Sequence, residues 1–538
     1  MKTPSSIRQF WRRGEPGVWA SGAALAAMLL GIAGMLAVVA ANGVVVFWPH
    51  RLCEFTLHDG SRVLGEVQQW QDVRGGGRRV QLKVGNRDLY GLDFRWIEGA
   101  DVAGTRFPCD AVALERQEYG NFYGYLAGVS AADGGPGDGT GGGWAALEAA
   151  WRQARQQREA LERLQRGINR NNLRMERTRL RLLRLRHRGV AEDDPRVAGL
   201  LDRQAALQRE FSQLVAQSNA AAVECRRRTA RFVDSHGSEE VLPVFGIVRA
   251  YRPNAMGRLA KARFYLGKVG ELLFGQPREA NTEGGLFPAI VGTVMMVFLM
   301  SVFSFPLGVL TAVYLREYAR DGLVVRLVRI AVNNLAGVPS IVYGIFGLGF
   351  FVYGIGGRLD RWLFPERLPT PTLGTGGILW ASLTLALLTV PVVIVASEEA
   401  LGAIPRGIRE GSLALGSTRL QTLTRLLLPM ASPGIMTGFI LAMARAAGEV
   451  APLMITGVVK LAPSLPVDGT PPFVHVERKF MHLGFHIYDI GFQSPNVEAA
   501  KPMVFTTALL LVSLVLAMSG SAIWLRQRMK RRYAMGSF

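Results

Sequence analysis

Cysteine is scarce in this chain: three in 538 residues, too few for a disulfide framework. No C-x-x-C pair and no Cys/His cluster offers a structural metal site. The seven histidines are scattered, and His482 and His486, four apart, have no third ligand nearby in sequence. A nucleotide-phosphate loop is missing too. Gly267-Lys268 is followed by Val269 and has no glycine at the required upstream position. No Ser/His/Asp or Cys/His arrangement stands out for nucleophilic catalysis. These gaps point away from hydrolysis of nucleotides or esters by this chain. Carboxylates are also in deficit, 42 against 62 Lys and Arg, for a net charge of +20.

Long apolar sequence, by contrast, is abundant. Six stretches reach the roughly 20 residues needed to cross a bilayer. They are Trp19 to Phe47, Phe287 to Tyr314, Ala331 to Tyr353, Ile378 to Ala396, Pro433 to Ile455 and Met503 to Trp524. A polar region separates the first two. The positive charge does not read as a nucleic-acid surface, because the cations cluster at alternate ends of the spans. Lys2, Arg8, Arg12 and Arg13 precede the first span; Arg316, Arg320, Arg326 and Arg329 come after the second. Arg406, Arg409, Arg419 and Arg425 come after the fourth, and Arg526, Arg528, Lys530, Arg531 and Arg532 after the sixth. The positive-inside rule makes all four segments, and both termini, cytoplasmic. The insert then lies outside, where long domains go regardless of their charge. Val38-Val39-Ala40 resembles a weak cleavage site, but the apolar run is long for a signal peptide and predicts a retained anchor.

The chain divides into seven regions. Residues 1–50 hold the basic N-terminus and first span; 51–132 form a β-rich module; 133–143 are a Gly-rich linker; 144–236 are a helical hairpin. Residues 237–283 hold a return strand and a pre-membrane helix, 284–525 the membrane core with a cytoplasmic loop at 397–430, and 526–538 a basic tail. In the module, Phe55–Leu57, Arg62–Gln68, Arg79–Val84 and Leu89–Ile97 alternate apolar with polar residues, and His58-Asp59-Gly60 and Gly85-Asn86 read as turns. A small barrel is one way to close it. Cys53 and Cys109 fall here; a bridge in an oxidising compartment and two unlinked thiols both fit, with Cys225 unpaired.

From Leu147 to Leu185, and again from Val197 to Phe232, apolar positions recur at steps of three and four, with a break at Gly189 to Pro195. This predicts an antiparallel coiled-coil hairpin, with polar residues such as Asn171 helping to fix register. Its faces carry 20 arginines against 11 carboxylates between Trp144 and His236. A solvated charged face and a surface for an anionic partner both suit that balance. Leu242–Tyr251 reads as one returning strand, and Arg258–Phe274 as an amphipathic helix along the membrane.

Two spans carry chemistry. In the fifth, Arg445 and Glu449 stand four apart, on one face of a helix. Charges inside a span are costly and by default mark a functional path. A planar guanidinium suits a tetrahedral oxyanion, and a nearby carboxylate would hold it and moderate its affinity. A purely structural ion pair is the other reading. In the third span, Asn333-Asn334-Leu335-Ala336-Gly337-Val338-Pro339-Ser340 contains a proline that breaks or kinks a helix, with Ser340 placed to cap the second half. An exposed helix N-terminus there would suit an anion, though such kinks also serve packing alone. Pro277 to Gly285, P-R-E-A-N-T-E-G-G, is a polar segment with no role evident from its chemistry.

The loop Glu410 to Pro429 reads E-G-S-L-A-L-G-S-T-R-L-Q-T-L-T-R-L-L-L-P. Its spacing resembles the cytoplasmic coupling loop of ABC-importer permeases, E-A-A, three residues, G, nine residues, I-x-L-P. Gly411 and Ser412 replace the alanines and Leu426 the isoleucine; Gly416 and Pro429 keep their offsets. Two short helices meeting at a bend on Gly416 is the physical reading. With R-A-A-G-E-V-A-P-L at Arg445 to Leu453, V-P-S-I-V-Y-G-I at Val338 to Ile345 and the Pro277 to Gly285 segment, the chain resembles the permease subunits of bacterial phosphate ABC importers from Pro277 to Trp524.

That resemblance implies an all-α, polytopic inner-membrane protein of six transmembrane helices, a non-enzymatic transport subunit working by alternating access. It implies a homologous, PstC-like second permease, an ATPase dimer carrying ATP and Mg, and a periplasmic phosphate-binding protein. Arg445 and Glu449 would line the phosphate route, with Ser340 and Asn334 near it. Glu410, Gly411, Ser412, Gly416, Leu426 and Pro429 would dock the ATPase. The insert, Arg51 to about Phe274, departs from the compact family pattern. The charged pair alone also suits sulfate or molybdate. A membrane signalling scaffold, sensing through the external hairpin, is a third reading.

Overall fold

The computed structural model describes residues 15–73, 77–130, 143–320, 322–469, 471–494 and 497–534. The Gly-rich linker therefore falls almost entirely outside the described residues.

Among the described residues, six helices are long and apolar enough to span a membrane. They are α1 (Glu15–Val45), α6 (Phe287–Tyr318), α8 (Ser340–Leu363), α9 (Ile378–Gly402), α11 (Arg419–Gly448) and α14 (Val497–Ala534). Between them lie α7 (Leu323–Leu335), α10 (Arg406–Ala414), α12 (Ala451–Thr456) and α13 (Leu483–Phe492). The most enclosed is α9, packed between α6 and α11. In lipid, burying apolar area drives little association, so close van der Waals fit must do it. Gly434 and Gly438 of α11 supply that fit: a Cβ at either would lie 2.5 or 2.4 Å from the Cβ of Ala400 or Ala396 on α9. The core there combines Met296, Met300, Ala381, Leu385, Ala446 and Leu453. By contrast α1 stands at the periphery, held where Gly43 meets Phe505 and Leu509 of α14.

Several predicted boundaries move. The third span, expected at Ala331 to Tyr353, is interrupted: α7 ends at Leu335 and α8 begins at Ser340. Pro339 has no N–H to continue α7, and it steers Val338 toward extended backbone. The fifth span, expected at Pro433 to Ile455, begins instead at Arg419 and stops at Gly448. Pro429 and Pro433 do not end it. A π turn at Leu423–Leu427 absorbs the first, and Ile455 belongs to the separate α12.

The region between α1 and α6 is built on two antiparallel five-stranded sheets rather than a barrel. Its strands are β1 (Leu52–Leu57), β2 (Arg62–Val73), β3 (Gly77–Lys83), β4 (Phe94–Glu98), β5 (Val102–Arg106), β6 (Val112–Arg116), β7 (Asn121–Val129), β8 (Thr229–Val233), β9 (Glu239–Pro243) and β10 (Ile247–Tyr251). One sheet has the order β4-β3-β2-β1-β5, the other β10-β6-β7-β8-β9. The single strand expected at Leu89–Ile97 is a short helix, α2 (Arg87–Tyr90), followed by β4. Asn86, left-handed at φ 52°, turns the chain there, and its side chain bonds the Tyr123 backbone at 2.8 and 3.0 Å. Leu242–Tyr251, expected as one strand, is β9 and β10. Cys53 is buried on β1, Cys109 is exposed, and both are free thiols.

The second sheet draws strands from both sides of a long helical pair, α3 (Trp144–His187) and α4 (Pro195–Arg227). The foot of α3 completes the sheet's core, Leu147, Ala150 and Ala154 packing with Leu114, Phe122 and Phe232. Farther out, Asn171 is buried with both amide atoms lacking a partner. The outer part of the pair leans over the membrane core. Arg184 meets Glu366 at 2.9 Å and Arg177 donates to the Pro471 carbonyl at 3.4 Å.

A second junction runs through α5 (Arg258–Phe274). Lys268 pairs with Glu115 of β6 at 2.6 Å, and Arg249 of β10 reaches Glu115 and Glu271 at 3.5 and 3.2 Å. Arg278 meets Glu271 at 2.6 Å. Burial alone would raise the Glu271 carboxyl, but Lys268, Arg278 and Arg249 outweigh it and hold it below the usual carboxylate range. The polar segment before α6 thus has a structural role. It forms a two-strand clip, β11 (Pro277–Arg278) with β12 (Glu283–Gly284), tying the sheets to the head of α6.

Candidate functional site

Two helix interruptions precede the helices α8 and α12, which pack on each other. The first is Ala336 to Pro339. Gly337 N–H donates to the Asn334 carbonyl at 3.0 Å and Val338 N–H to Leu335 at 3.2 Å, closing α7 tightly. Pro339, at φ −55° and ψ 135°, then starts α8. The expected cap by Ser340 is not formed; Ser340 is already helical, and no side chain caps this end. Instead the Tyr343 hydroxyl reaches back and donates to the Leu335 carbonyl at 2.6 Å, stapling one half to the other.

The second interruption is Glu449-Val450, between α11 and α12. Pro452 causes it: its ring has no N–H, and it clashes with a helical carbonyl four residues earlier, at Gly448. Glu449 is accordingly extended, at φ −77° and ψ 136°. Arg445 stays in the last turn of α11, where a cation complements the helix dipole. Arg445 and Glu449 are therefore brought together across a helix end, not along one helical face. Their Nε and Oε1 atoms stand 3.6 Å apart, too far for a hydrogen bond. The Arg445 side chain remains 36% exposed, and among the described residues no group bonds its two terminal nitrogens. The helices that follow the two interruptions touch directly: Gly344 of α8 lies against Pro452 of α12. A half-open, forked cation beside a free helix start can hold an oxyanion by two parallel bonds. Asn334 is exposed in the last turn of α7, and its side chain bonds nothing among the described residues.

The loop at the opposite end of α9 is equally defined. In α10, Glu410, Gly411 and Leu413 are exposed. The helix then turns on Gly416, left-handed at φ 84°, where a Cβ would be strained. Thr418 caps the next helix with a reciprocal Gln421 box. That helix runs unbroken into α11, so the second arm of the predicted pair is the start of a span. Ser412 and Thr422 hydroxyls bridge the two arms at 2.9 Å. Leu426 and Pro429 are half-buried inside α11. Leu415 and Leu420, 89% and 62% exposed, crown the turn. Spacing did not mark these two leucines; apolar side chains flanking a turn glycine were the available signal.

Arg409 was also missed as a site residue. It meets Glu317 at the end of α6 at 3.0 Å and donates to the Leu401 and Ile404 carbonyls at 2.6 and 2.7 Å. One guanidinium thereby ties α10 to the ends of α6 and α9. Nearby, Arg329 pairs with Glu398 at 2.7 Å beside a cavity of about 450 Å³ that also meets Arg316 and Asn333. Between α13 and its neighbours, His482 and His486 are buried and neutral. Burial pushes them down to about 3 and about 4, against some opposition from Asp489 for His486. Among the described residues no cluster of His, Cys, Asp or Glu fits a metal.

Residues 304–531 match the family described as the inner membrane component of binding-protein-dependent transport systems. A probable phosphate transport system permease protein PstA of Methanocaldococcus jannaschii is 32% identical over 240 residues, 44% of this chain and 74% of that protein. The probable ABC transporter permease protein YqgI of Bacillus subtilis is 31% identical over 247 residues, 45% of this chain and 78% of its own length. The phosphate transport system permease protein PstA 1 of Mycobacterium tuberculosis is 36% identical over 172 residues, 32% of this chain and 51% of that protein.

Proposed function

This chain belongs to the binding-protein-dependent transport permeases, and from that premise we propose that it carries inorganic phosphate through the membrane portion of an ABC importer. The supporting observation is Arg445, charged, half-open and, among the described residues, with both terminal nitrogens unbonded, beside the contact of α8 with α12. An arginine at the centre of a bilayer costs roughly 2.5–3.5 kcal/mol on insertion scales, so its retention there suits a ligand of opposite charge. Glu449 holds the guanidinium loosely and competes with the anion, which favours release over trapping.

In this reading α10 and the Gly416 turn dock on partner ATPase subunits, which carry ATP and Mg. Leu415 and Leu420 enter the partner's cleft, and Glu410 and Gly411 line the contact. Arg409 passes the movement to α6 and α9 together. A homologous, PstC-like second permease completes the pore. The sheets and the α3–α4 pair, read as an antiparallel coiled coil, stand on the outer side, and both termini are cytoplasmic. A periplasmic phosphate-binding protein delivers the substrate.

Radiolabelled phosphate uptake tests this in permease-deficient cells supplying the remaining subunits. Wild type should restore uptake, and Arg445→Gln should lower it at least tenfold at matched membrane levels. Uptake of sulfate or molybdate in place of phosphate would overturn the substrate. Full uptake by the variant would remove Arg445 from the route.

A further inference from the structure

Ten arginines lie between Arg163 and Arg188 of the α3 region, and eight of them succeed one another at steps of three or four residues. At about 100° per residue these eight fall within roughly 80° of arc, a single stripe about 37 Å long. Every one is exposed. Glu176 is the sole carboxylate in the interval, and it lies off the stripe, beside Arg179 at 3.4 Å. Within the stripe only Arg184 has a carboxylate partner among the described residues, Glu366 of the membrane core. Arg163, Arg166 and Arg170 fold back on carbonyls of their own helix through long bonds of 3.3–3.4 Å.

Like charges at i,i+4 destabilise a helix, so an unbroken row of them calls for counter-charge from outside the chain. The row is too long for a single small anion. A lipid surface suits it poorly, because α3 exposes no large apolar side chain to enter the bilayer, whereas α5 exposes Leu259, Leu266 and Phe274. Its lower rungs fix its place. Arg177 and Arg184 touch the loops beyond α12 and α8, the two helices that meet at Gly344 and Pro452. The stripe runs along the helix that lies over these loops.

We propose that this arginine stripe is the docking rail for an acidic face of the solute-binding protein. The inference rests on the importer reading above but not on the identity of the solute. Complementary charge along a 37 Å row would speed encounter and set the orientation of the incoming protein over the mouth.

The test places a photo-crosslinking amino acid at position 166 or 174 of the full chain in intact cells, with position 223 on α4 as control. Adducts identified by mass spectrometry should contain a solute-binding protein at the first two positions only, and 0.5 M salt should deplete them. Adducts with lipid, with the second permease alone, or none at all would overturn the rail. A binding protein for another oxyanion would sustain the rail and sink the phosphate reading. In the reconstituted complex, Arg163, Arg170, Arg174 and Arg181 together replaced by glutamine should raise the binding-protein concentration for half-maximal transport at least tenfold. The fourfold lysine variant should restore it to within about threefold. An unchanged requirement in the glutamine variant, or equal failure of the lysine variant, would refute the proposal.

Discussion

Gly344 meets Pro452 so closely that a Cβ at position 344 would lie 2.8 Å from the proline Cα and 3.3 Å from its carbonyl oxygen. Two interrupted spans can cross at this depth only because one of them lacks a side chain. Gly344→Ala should therefore reduce uptake several-fold and Gly344→Val abolish it, since overpacking costs about 1–3 kcal/mol or more. Transport assays at matched membrane levels decide it. Normal uptake by the valine variant would show that the crossing is not part of the working machine.

Glu449 tempers Arg445 in this reading. Glu449→Gln should lower the half-saturating phosphate concentration and also the maximal rate, because the anion would leave more slowly. Initial-rate uptake across a range of phosphate concentrations separates the two effects. A higher half-saturating concentration would instead give Glu449 a positioning role.

Arg409→Ala removes the tie among α6, α9 and α10, and leaves Glu317 and two carbonyls without their donor. Stability should fall by about 1–3 kcal/mol. Transport should fall further, by tenfold or more, while the complex still hydrolyses ATP. The ratio of phosphate moved to ATP hydrolysed is the readout, and an unaltered ratio would argue against Arg409 as the transmitter.

The buried imidazoles give a pH dependence of known sign. His482 and His486 stay neutral in the fold, at about 3 and about 4, against an ordinary value near 6.5. Below about pH 6.5 the unfolded chain takes up protons that the fold refuses. Stability should be flat above pH 7 and decline as pH drops, by up to about 1.4 kcal/mol per pH unit for each histidine. Melting temperatures at pH 7.5, 6.0 and 5.0 should fall more steeply for wild type than for His486→Gln. Parallel curves would mean that His486 is not the group titrating.

Lys268→Met should leave Glu115 buried without its closest cation, costing about 3 kcal/mol at the junction between the sheets and α6. Limited proteolysis between residues 251 and 287 should accelerate, with the membrane core remaining intact. No change in cleavage would place the strength of the junction elsewhere.

The membrane core was legible because its signals are local. A run of apolar residues, a charged pair four apart, and a glycine at a fixed offset in a loop can each be read within a single segment. Span edges were harder. Pro429 and Pro433 look like stops, yet a π turn and the first helical turns accommodate them, whereas Pro339 and Pro452 do interrupt their helices. Which prolines break depends on the turn around them, and composition is blind to that. The sheets were half legible: alternation marked strands, but β10 pairs with β6 across 130 or so residues of intervening chain, and no local pattern carries that partner's identity. Arg409 and Glu317, 92 residues apart, were hidden for the same reason.

The strand order β10-β6-β7-β8-β9 has a consequence for how the protein is made. Strands β6 and β7 emerge from the ribosome first but lack one flanking neighbour each until β8 and β10 arrive, after the whole helical pair has been synthesised. The sheet therefore closes late, around a loop longer than many domains, and its early edges stay open to wrong pairing during that interval. Because the foot of α3 supplies Leu147, Ala150 and Ala154 to the same core, the helix is the first element able to shield those strands while they wait. Shortening the helical pair would then shorten that interval as well as the reach of the finished protein.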